Sequence, residues 1–250
     1  MNTVKLRTLT PGGSFCIADH EFVILEHYPK GGTLVLDCQN ERALPFNDKD
    51  VEDWNDFRSS SIKEYLNGEY LEDLLNGGGI DAADMAAAIL DLTIDLKATD
   101  GTRAYGYDTV KVGLLTLEQY GKYKDIIPLN ENDCWWLASP WATRWLRSPS
   151  TSNTYYAWYV LTSGSFSSCN DVTNSYGVRP ALRLDSDLLV STDDPEFCHS
   201  DKEIETWTTY LRYIATWAID HSGLGFFGMA PASYDEWLSE EYEKEGDDDE

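Results

Sequence analysis

Apolar positions along this chain recur in short runs whose period changes often. Phe22-Val23-Ile24-Leu25 and Thr33-Leu34-Val35-Leu36 are continuous apolar or β-branched runs. The turn signal Pro29-Lys30-Gly31-Gly32 separates them, which predicts two strands. Ser61-Ile62-Lys63-Glu64 has the form of a capping box, in which the serine accepts from a backbone amide and the glutamate reaches back. Behind it Ile62, Tyr65, Leu66, Leu71, Leu74 and Leu75 fall at helical spacing, so a helix should end near Asn76-Gly77-Gly78-Gly79. A second short helix is predicted from Ala82 to Leu90, and Leu92-Thr93-Ile94-Asp95-Leu96 alternates like a half-buried strand. Val110 to Leu117 predicts a strand, followed by a short helical turn through Tyr123. From Cys134 to Leu184 turn residues abound and no helical period appears, so hairpins and loops are expected, with Thr162-Ser163-Gly164-Ser165 turning one hairpin.

After Leu184 the pattern changes. Ser200-Asp201-Lys202-Glu203 is a further capping box, leading a helix with Ile204, Trp207, Leu211, Ile214, Ala215 and Ala218 along one side. Gly223 to Gly228 breaks it, and Ser233-Tyr234-Asp235-Glu236 starts a last short helix. The expected organisation is a main domain over 1–190, a helical appendage over 191–245 and a disordered acidic tail over 246–250.

Composition narrows the function. The 250 residues carry a formal charge of −25, and from Asp185 onward 19 acids face 3 bases. That balance repels nucleic acid and anionic membranes, so neither is expected as a partner. No apolar run is long enough to span a bilayer, and Met1 to Arg7 lacks the apolar core of a signal peptide. A virion or cytoplasmic location is therefore expected. The five cysteines are scattered, odd in number and without the close pairs of zinc or redox motifs, which reads as free thiols.

Between Ser148 and Gly177 a sparse frame of Ala157, Val160, Gly164 and Val172 is filled almost throughout with Ser, Thr, Asn and Tyr. Tyr gives large contact area at low entropic cost, and Ser and Asn add adaptable hydrogen bonding, so this is the composition of a recognition surface. The candidate ligand-binding residues are Ser150, Thr151, Ser152, Asn153, Tyr155, Tyr156, Tyr159, Ser165, Ser167, Ser168, Asn170, Asp171, Thr173, Asn174 and Tyr176, with the tyrosines as anchors.

The frame also carries a resemblance. Trp135-Trp136-Leu137-Ala138-Ser139-Pro140, Trp145-Leu146-Arg147-Ser148-Pro149 and Gly177-Val178-Arg179-Pro180-Ala181-Leu182 resemble a family of uncharacterised proteins of gut bacteria and their phages. Its domain has the C-type-lectin-like fold in the branch of the formylglycine-generating enzymes. Ser60-Ser61-Ile62, Tyr65-Leu66-Asn67, Leu114-Leu115-Thr116 and Glu118-Gln119-Tyr120 fit it upstream, so the resemblance covers about residues 10 to 190. It implies an α+β domain with short strands, one or two helices and long loops, whose last hairpins display a ligand-binding face. Some relatives are variable proteins of diversity-generating retroelements. Randomising the adenines of an AAY codon never yields Lys, Glu, Gln, Met or Trp. From Ser148 to Gly177 the first four are absent and Trp158 stands alone. An ordinary Ser/Thr/Tyr-rich hairpin would show the same bias, because sheets favour Tyr and Thr over Lys and Glu.

Catalytic chemistry finds little support. Cys134, Cys169 and Cys198 match poorly to the copper-binding cysteine pair of formylglycine generators, and His20, His27, His199 and His221 share no motif with a cysteine. Trp54-Asn55-Asp56 copies a tripeptide of calcium-dependent lectins but precedes a helix instead of lying on a late strand. The simpler reading makes Trp54 a core residue and Asp56 a solvated one. Arg179 reads as a buried, hydrogen-bonded structural arginine, with anion binding as the alternative. Gly12-Gly13-Ser14 and Gly77-Gly78-Gly79 lack the context of phosphate loops and read as turns. No cofactor and no metal is expected.

The sequence thus predicts a non-enzymatic module that binds a cell-surface protein or glycan, in a phage or bacterial surface apparatus. Two other classes stay open. One is a structural virion or self-associating protein that binds through residues 203–227. The other is a formylglycine-generating-type oxidase.

Overall fold

The computed structural model describes residues 3–18, 20–48, 53–77, 80–99, 101–129, 133–143, 154–167 and 171–191. The chain divides into two compact units, Met1–Cys198 and His199–Glu250. The second unit, with the helices and acidic tail expected there, lies outside the described residues.

The first unit mixes helices and strands, with strands predominating. Strands β1 (Thr3–Lys5), β2 (Ser14–Ile17), β3 (His20–His27), β4 (Thr33–Asp37) and β5 (Arg42–Pro45) open the chain. The runs at Phe22 and Thr33 become β3 and β4, antiparallel with Phe22 opposite Asp37 and His27 opposite Thr33. Every residue of β4 is buried, as expected of a continuous apolar run covered on both faces.

The predicted single helix from Ser61 is two helices, α1 (Ser61–Asn67) and α2 (Glu69–Asn76). They part at Gly68, whose ψ of −101° leaves the helical basin, and a Cβ there would lie 2.9 Å from the Glu64 carbonyl oxygen. The cap also moves by one residue. Ser60, at φ −75° and ψ 152°, accepts from the Lys63 amide, whereas Ser61 Oγ bonds Asn47 and Asp48. Two adjacent serines can both start a helix, and the 3-10 turn Phe57–Ser59 puts Ser60 in the extended conformation a cap needs.

Helix α3 (Ala82–Ala88) leads into β6 (Ile89–Leu90) and β7 (Leu92–Asp95), which pairs with β8 (Tyr107–Val110). The strand expected from Val110 shrinks to β9 (Val112–Gly113). Helix α4 (Leu117–Tyr123) starts from a complete capping box of Thr116 and Gln119. The final strands are β10 (Trp135–Pro140), β11 (Ala157–Val160), β12 (Phe166–Ser167), β13 (Ser175–Val178), β14 (Ala181–Leu184) and β15 (Leu189–Ser191). As expected, 162–165 turns the β11–β12 hairpin.

Two main sheets result. The larger has the order β1-β15-β2-β3-β4-β14-β6, with β9 also on β14; the smaller is β12-β11-β10-β13-β5. Two connections cross between them side by side: β4 to β5 through residues 38–41, and β13 to β14 through Arg179-Pro180. They bond each other, the Asp37 amide to the Pro180 carbonyl (2.9 Å) and the Glu41 amide to the Val178 carbonyl (3.0 Å). Arg179 locks the junction. It is fully buried, and its Nε, NH2 and NH1 groups donate to the carbonyls of Asp37, Cys38 and Pro128 at 2.6, 3.1 and 3.0 Å. Its guanidinium also lies over the Trp135 ring, so the structural reading of this arginine holds.

Candidate functional site

The smaller sheet carries the segment singled out as a recognition surface. Its β11 does not alternate: Ala157, Trp158, Tyr159 and Val160 are all buried. Trp158 Nε1 donates to Thr99 Oγ1 at 2.8 Å, while Tyr159 stacks on Tyr176 at 4.9 Å and 7° and meets the edge of Trp136. Tyr159 is only 6% exposed and Tyr176 is half-buried, so these two rings form a supporting layer instead of outward anchors. The alternation that would have exposed Tyr159 assumes one solvated face, whereas β11 is covered on both.

The outward chemistry sits on the connections flanking β11. Tyr155, 38% exposed, packs against Trp54 at 5.5 Å, and Tyr156 is half-buried in an antiparallel bridge with Asp171. The Val172 amide donates to the Tyr155 carbonyl at 2.9 Å, which ties the two connections together. Thr173 and Asn174 are exposed, and Asp171 Oδ1 accepts from both the amide and the hydroxyl of Thr173 (3.0 and 2.9 Å). Asp171 is thus committed to its own turn. Further along the sheet edge Ser165 is exposed and Ser167, opposite Tyr159, is half-buried. Ser150, Thr151, Ser152, Asn153, Ser168 and Asn170 lie outside the described residues. The described rim is therefore Tyr155, Tyr156, Ser165, Ser167, Asp171, Thr173 and Asn174, held over a buried aromatic layer.

The Trp-Asn-Asp tripeptide supports this rim from within. Asn55 is fully buried, with Nδ2 donating to the carbonyls of Ala142 (3.0 Å) and Tyr156 (2.8 Å) and Oδ1 accepting from the Tyr105 hydroxyl (2.8 Å). Asp56, expected to be solvated, is 5% exposed. It accepts from the Arg58 amide at the 3-10 turn and pairs with the Arg58 guanidinium at 2.6 Å. The capping role drew it inward.

A cleft of about 440 Å³ is lined by Tyr28, Pro29, Lys30, Asp91, Leu92, Thr93 and Arg183, and one of about 210 Å³ is lined by residues including Thr99, Ser139 and Trp158. Neither cleft includes a rim residue. Of the described cysteines, Cys16 and Cys38 are buried and Cys134 is half-buried. Burial pushes the Cys38 thiol up to about 12, so it stays protonated at neutral pH.

A second polar cluster was not signalled by the sequence. At the sheet junction His20 Nδ1 lies 3.2 Å from Asp37 Oδ2 and 3.0 Å from Glu41 Oε1, and the Tyr70 hydroxyl donates to Asp37 Oδ2 at 3.1 Å. Burial pushes the Asp37 carboxyl up to about 6, against the hydrogen bond from His20. For His20, burial alone would lower the pKa, but the hydrogen bonds to Asp37 and Glu41 outweigh it and lift it to about 10.

A family model described as a domain of unknown function, DUF6273, matches residues 30–186, more than half of the chain. No curated protein and no solved structure matches it.

Proposed function

We propose that this chain, which belongs to the DUF6273 family, is a non-enzymatic ligand-binding module with a C-type-lectin-like fold. The observation that carries this reading is the rim around β11. Exposed Tyr155, Thr173 and Asn174 stand on connections that are hydrogen-bonded to each other, exposed Ser165 stands on the β11–β12 turn, and the Trp136–Tyr159–Tyr176 layer lies in the same sheet. A rigid support with an adaptable polar surface lowers the ordering cost of binding. Exposed tyrosine and polar side chains on a surface rim suit a protein or glycan on a cell surface as the ligand. The setting we propose is a virion or other bacterial surface apparatus, and adenine-directed diversification of codons 148–177 is part of the same reading.

The test is binding of the labelled full chain to a panel of bacterial cells and to a glycan array, alongside the double variant Tyr155→Ala, Tyr156→Ala. Loss of binding in a variant with unchanged circular dichroism supports the rim. Binding that survives in this variant but disappears when the chain is cut after Ser191 would assign recognition to the C-terminal residues instead. The cut falls there because β15 ends at Ser191 and pairs with β1 and β2.

A further inference from the structure

The His20–Asp37–Glu41 cluster sits where the two sheets meet. His20 opens β3, Asp37 closes β4 against it, Glu41 ends the crossover to β5, and Tyr70 reaches in from α2. Four elements thus converge on a single point. All three potential ligand atoms lie within 4.8 Å of one another.

As a set of hydrogen bonds the cluster is short of protons. One imidazole Nδ1 carries at most one N–H, yet it faces a carboxylate oxygen of Asp37 at 3.2 Å and one of Glu41 at 3.0 Å. It is short of positive charge too. Two carboxylates, one buried and one half-buried, face one imidazole. Arg179 acts on Asp37 electrostatically, but its three bonded N–H groups go to backbone carbonyls. Asp37 also accepts from the Gln39 amide at 2.9 Å and the Tyr70 hydroxyl at 3.1 Å. A dication centred between the three atoms would engage Nδ1 and both carboxylate oxygens together, which the one Nδ1 proton cannot, and would balance both carboxylates.

The spacing suits such an ion. With metal–nitrogen and metal–oxygen bonds of about 2.0–2.2 Å, neighbouring donors on one tetrahedral zinc ion stand about 3.3–3.6 Å apart. The Nδ1 contacts at 3.0 and 3.2 Å fall a few tenths of an ångström short of that, so small side-chain rotations would admit the ion. An imidazole with two carboxylates favours a first-row transition dication over calcium or magnesium, which take all-oxygen sites. The Tyr70 hydroxyl bonded to Asp37 Oδ2 supplies the outer partner that orients a ligating carboxylate. Side-chain exposures of 16% for His20 and 20% for Glu41 leave a way in from solvent.

We propose that His20, Asp37 and Glu41 bind a divalent transition metal of the zinc class, which pins the crossover between the two sheets. The ion is structural, and it extends the function proposed above without depending on it.

The experiment uses the full chain, stripped with EDTA, dialysed, and titrated with zinc while bound metal is counted by mass spectrometry and Tm is followed. His20→Gln and Glu41→Gln are measured in parallel, with circular dichroism to verify folding. The wild type should bind one equivalent at this site and gain Tm with added zinc, whereas each variant should lose that equivalent and its Tm response. Affinity at the site should fall by more than the 10- to 100-fold that outer partners alone typically cost. Cobalt(II) should give a visible spectrum in the wild type that is absent from both variants. Glu41→Gln, at the more exposed ligand, keeps the test valid if His20→Gln fails to fold. No binding, or binding of equal stoichiometry and strength in folded variants, overturns the proposal and leaves a proton-bridged clamp.

Discussion

Replacing Asn55 by alanine tests whether the Trp-Asn-Asp tripeptide is a structural bracket. Among the described residues the side-chain amide bonds three groups, and these partners do not suffer equally. The Tyr156 carbonyl also accepts from the Trp141 amide at 3.0 Å, and the Tyr105 hydroxyl, freed from Asn55, can turn its proton toward the Asp53 carboxylate that already acts on it. Each of these should lose the net value of one bond, about 0.5–1.5 kcal/mol. No second donor to the Ala142 carbonyl is seen among the described residues, so its loss should approach the cost of stranding a buried group, about 1–3 kcal/mol. The sum centres on about 4 kcal/mol, which for a chain of this size lowers Tm by about 8–16 °C. Urea unfolding followed by tryptophan fluorescence measures the energy, and calorimetry the Tm. Asn55→Asp sharpens the test. At neutral pH a carboxylate would point at two carbonyl oxygens, so this variant should be less stable than the alanine one and should recover partly in acid. A loss below about 1 kcal/mol for Asn55→Ala would refute the bracket. A Tm gain for Asn55→Asp specific to added calcium would restore the calcium reading.

Arg179→Lys replaces three directed N–H groups by one ammonium and should cost about 2–4 kcal/mol by urea midpoint; stability equal to wild type would mean the crossover does not rest on it. Gly164→Ala puts a side chain at φ +76° with its Cβ 2.8 Å from Leu129 Cδ2, and should cost about 1–2 kcal/mol. The same variant should speed hydrogen exchange at Leu161, whose amide donates to the Ser165 carbonyl at 2.7 Å; unchanged exchange would count against a tight turn. The hydrogen bonds from Lys122 and then Tyr123 hold the Glu26 carboxyl below its ordinary value. A lowered folded-state pKa gives stability that is present above the ordinary carboxylate range and is lost as pH falls through the lowered value. Glu26→Gln should thus fall short of wild type at pH 7, by no more than about 0.5 kcal/mol for so exposed a pair, and match it in strong acid. A gap that persists in acid would point to lost packing.

Strands were legible wherever the apolar run was continuous. Thr33 to Leu36 is buried on both faces whatever its register, so run length alone marks it. The helix from Ser61 was legible in its face but not in its break. Ile62, Leu66, Tyr70 and Leu74 are all buried, so the period carries through Gly68, and only the close approach of the Glu64 carbonyl requires the glycine. The His20 cluster was not legible. Its three ligand residues lie 17 and 21 positions apart, and only the β3–β4 register together with the crossover brings them onto one atom. A polar residue at the end of a fully apolar strand, as Asp37 is after Leu36, was the one local hint.

The same limit hides the role of the buried asparagines. Short strands joined by long connections leave many backbone groups without ladder partners, and each one that is buried must be satisfied. A side-chain amide offers both donors and an acceptor, so it can stand in for a missing strand. Asn67 does so between α1 and β9, donating to the Val112 carbonyl at 2.9 Å and accepting from the amides of Lys111 and Val112 at 3.1 and 3.2 Å. Asn47 donates to the Trp54 carbonyl at 3.2 Å while its own amide bonds the Val172 carbonyl, and Asn55 closes the bracket at Tyr156. In sequence these residues look like turn formers or adaptable ligand contacts, which is how Asn174, exposed on the rim, still reads. What separates the two kinds is the chain that arrives opposite them from far away, and that information lies in the packing of the sheets instead of the local pattern.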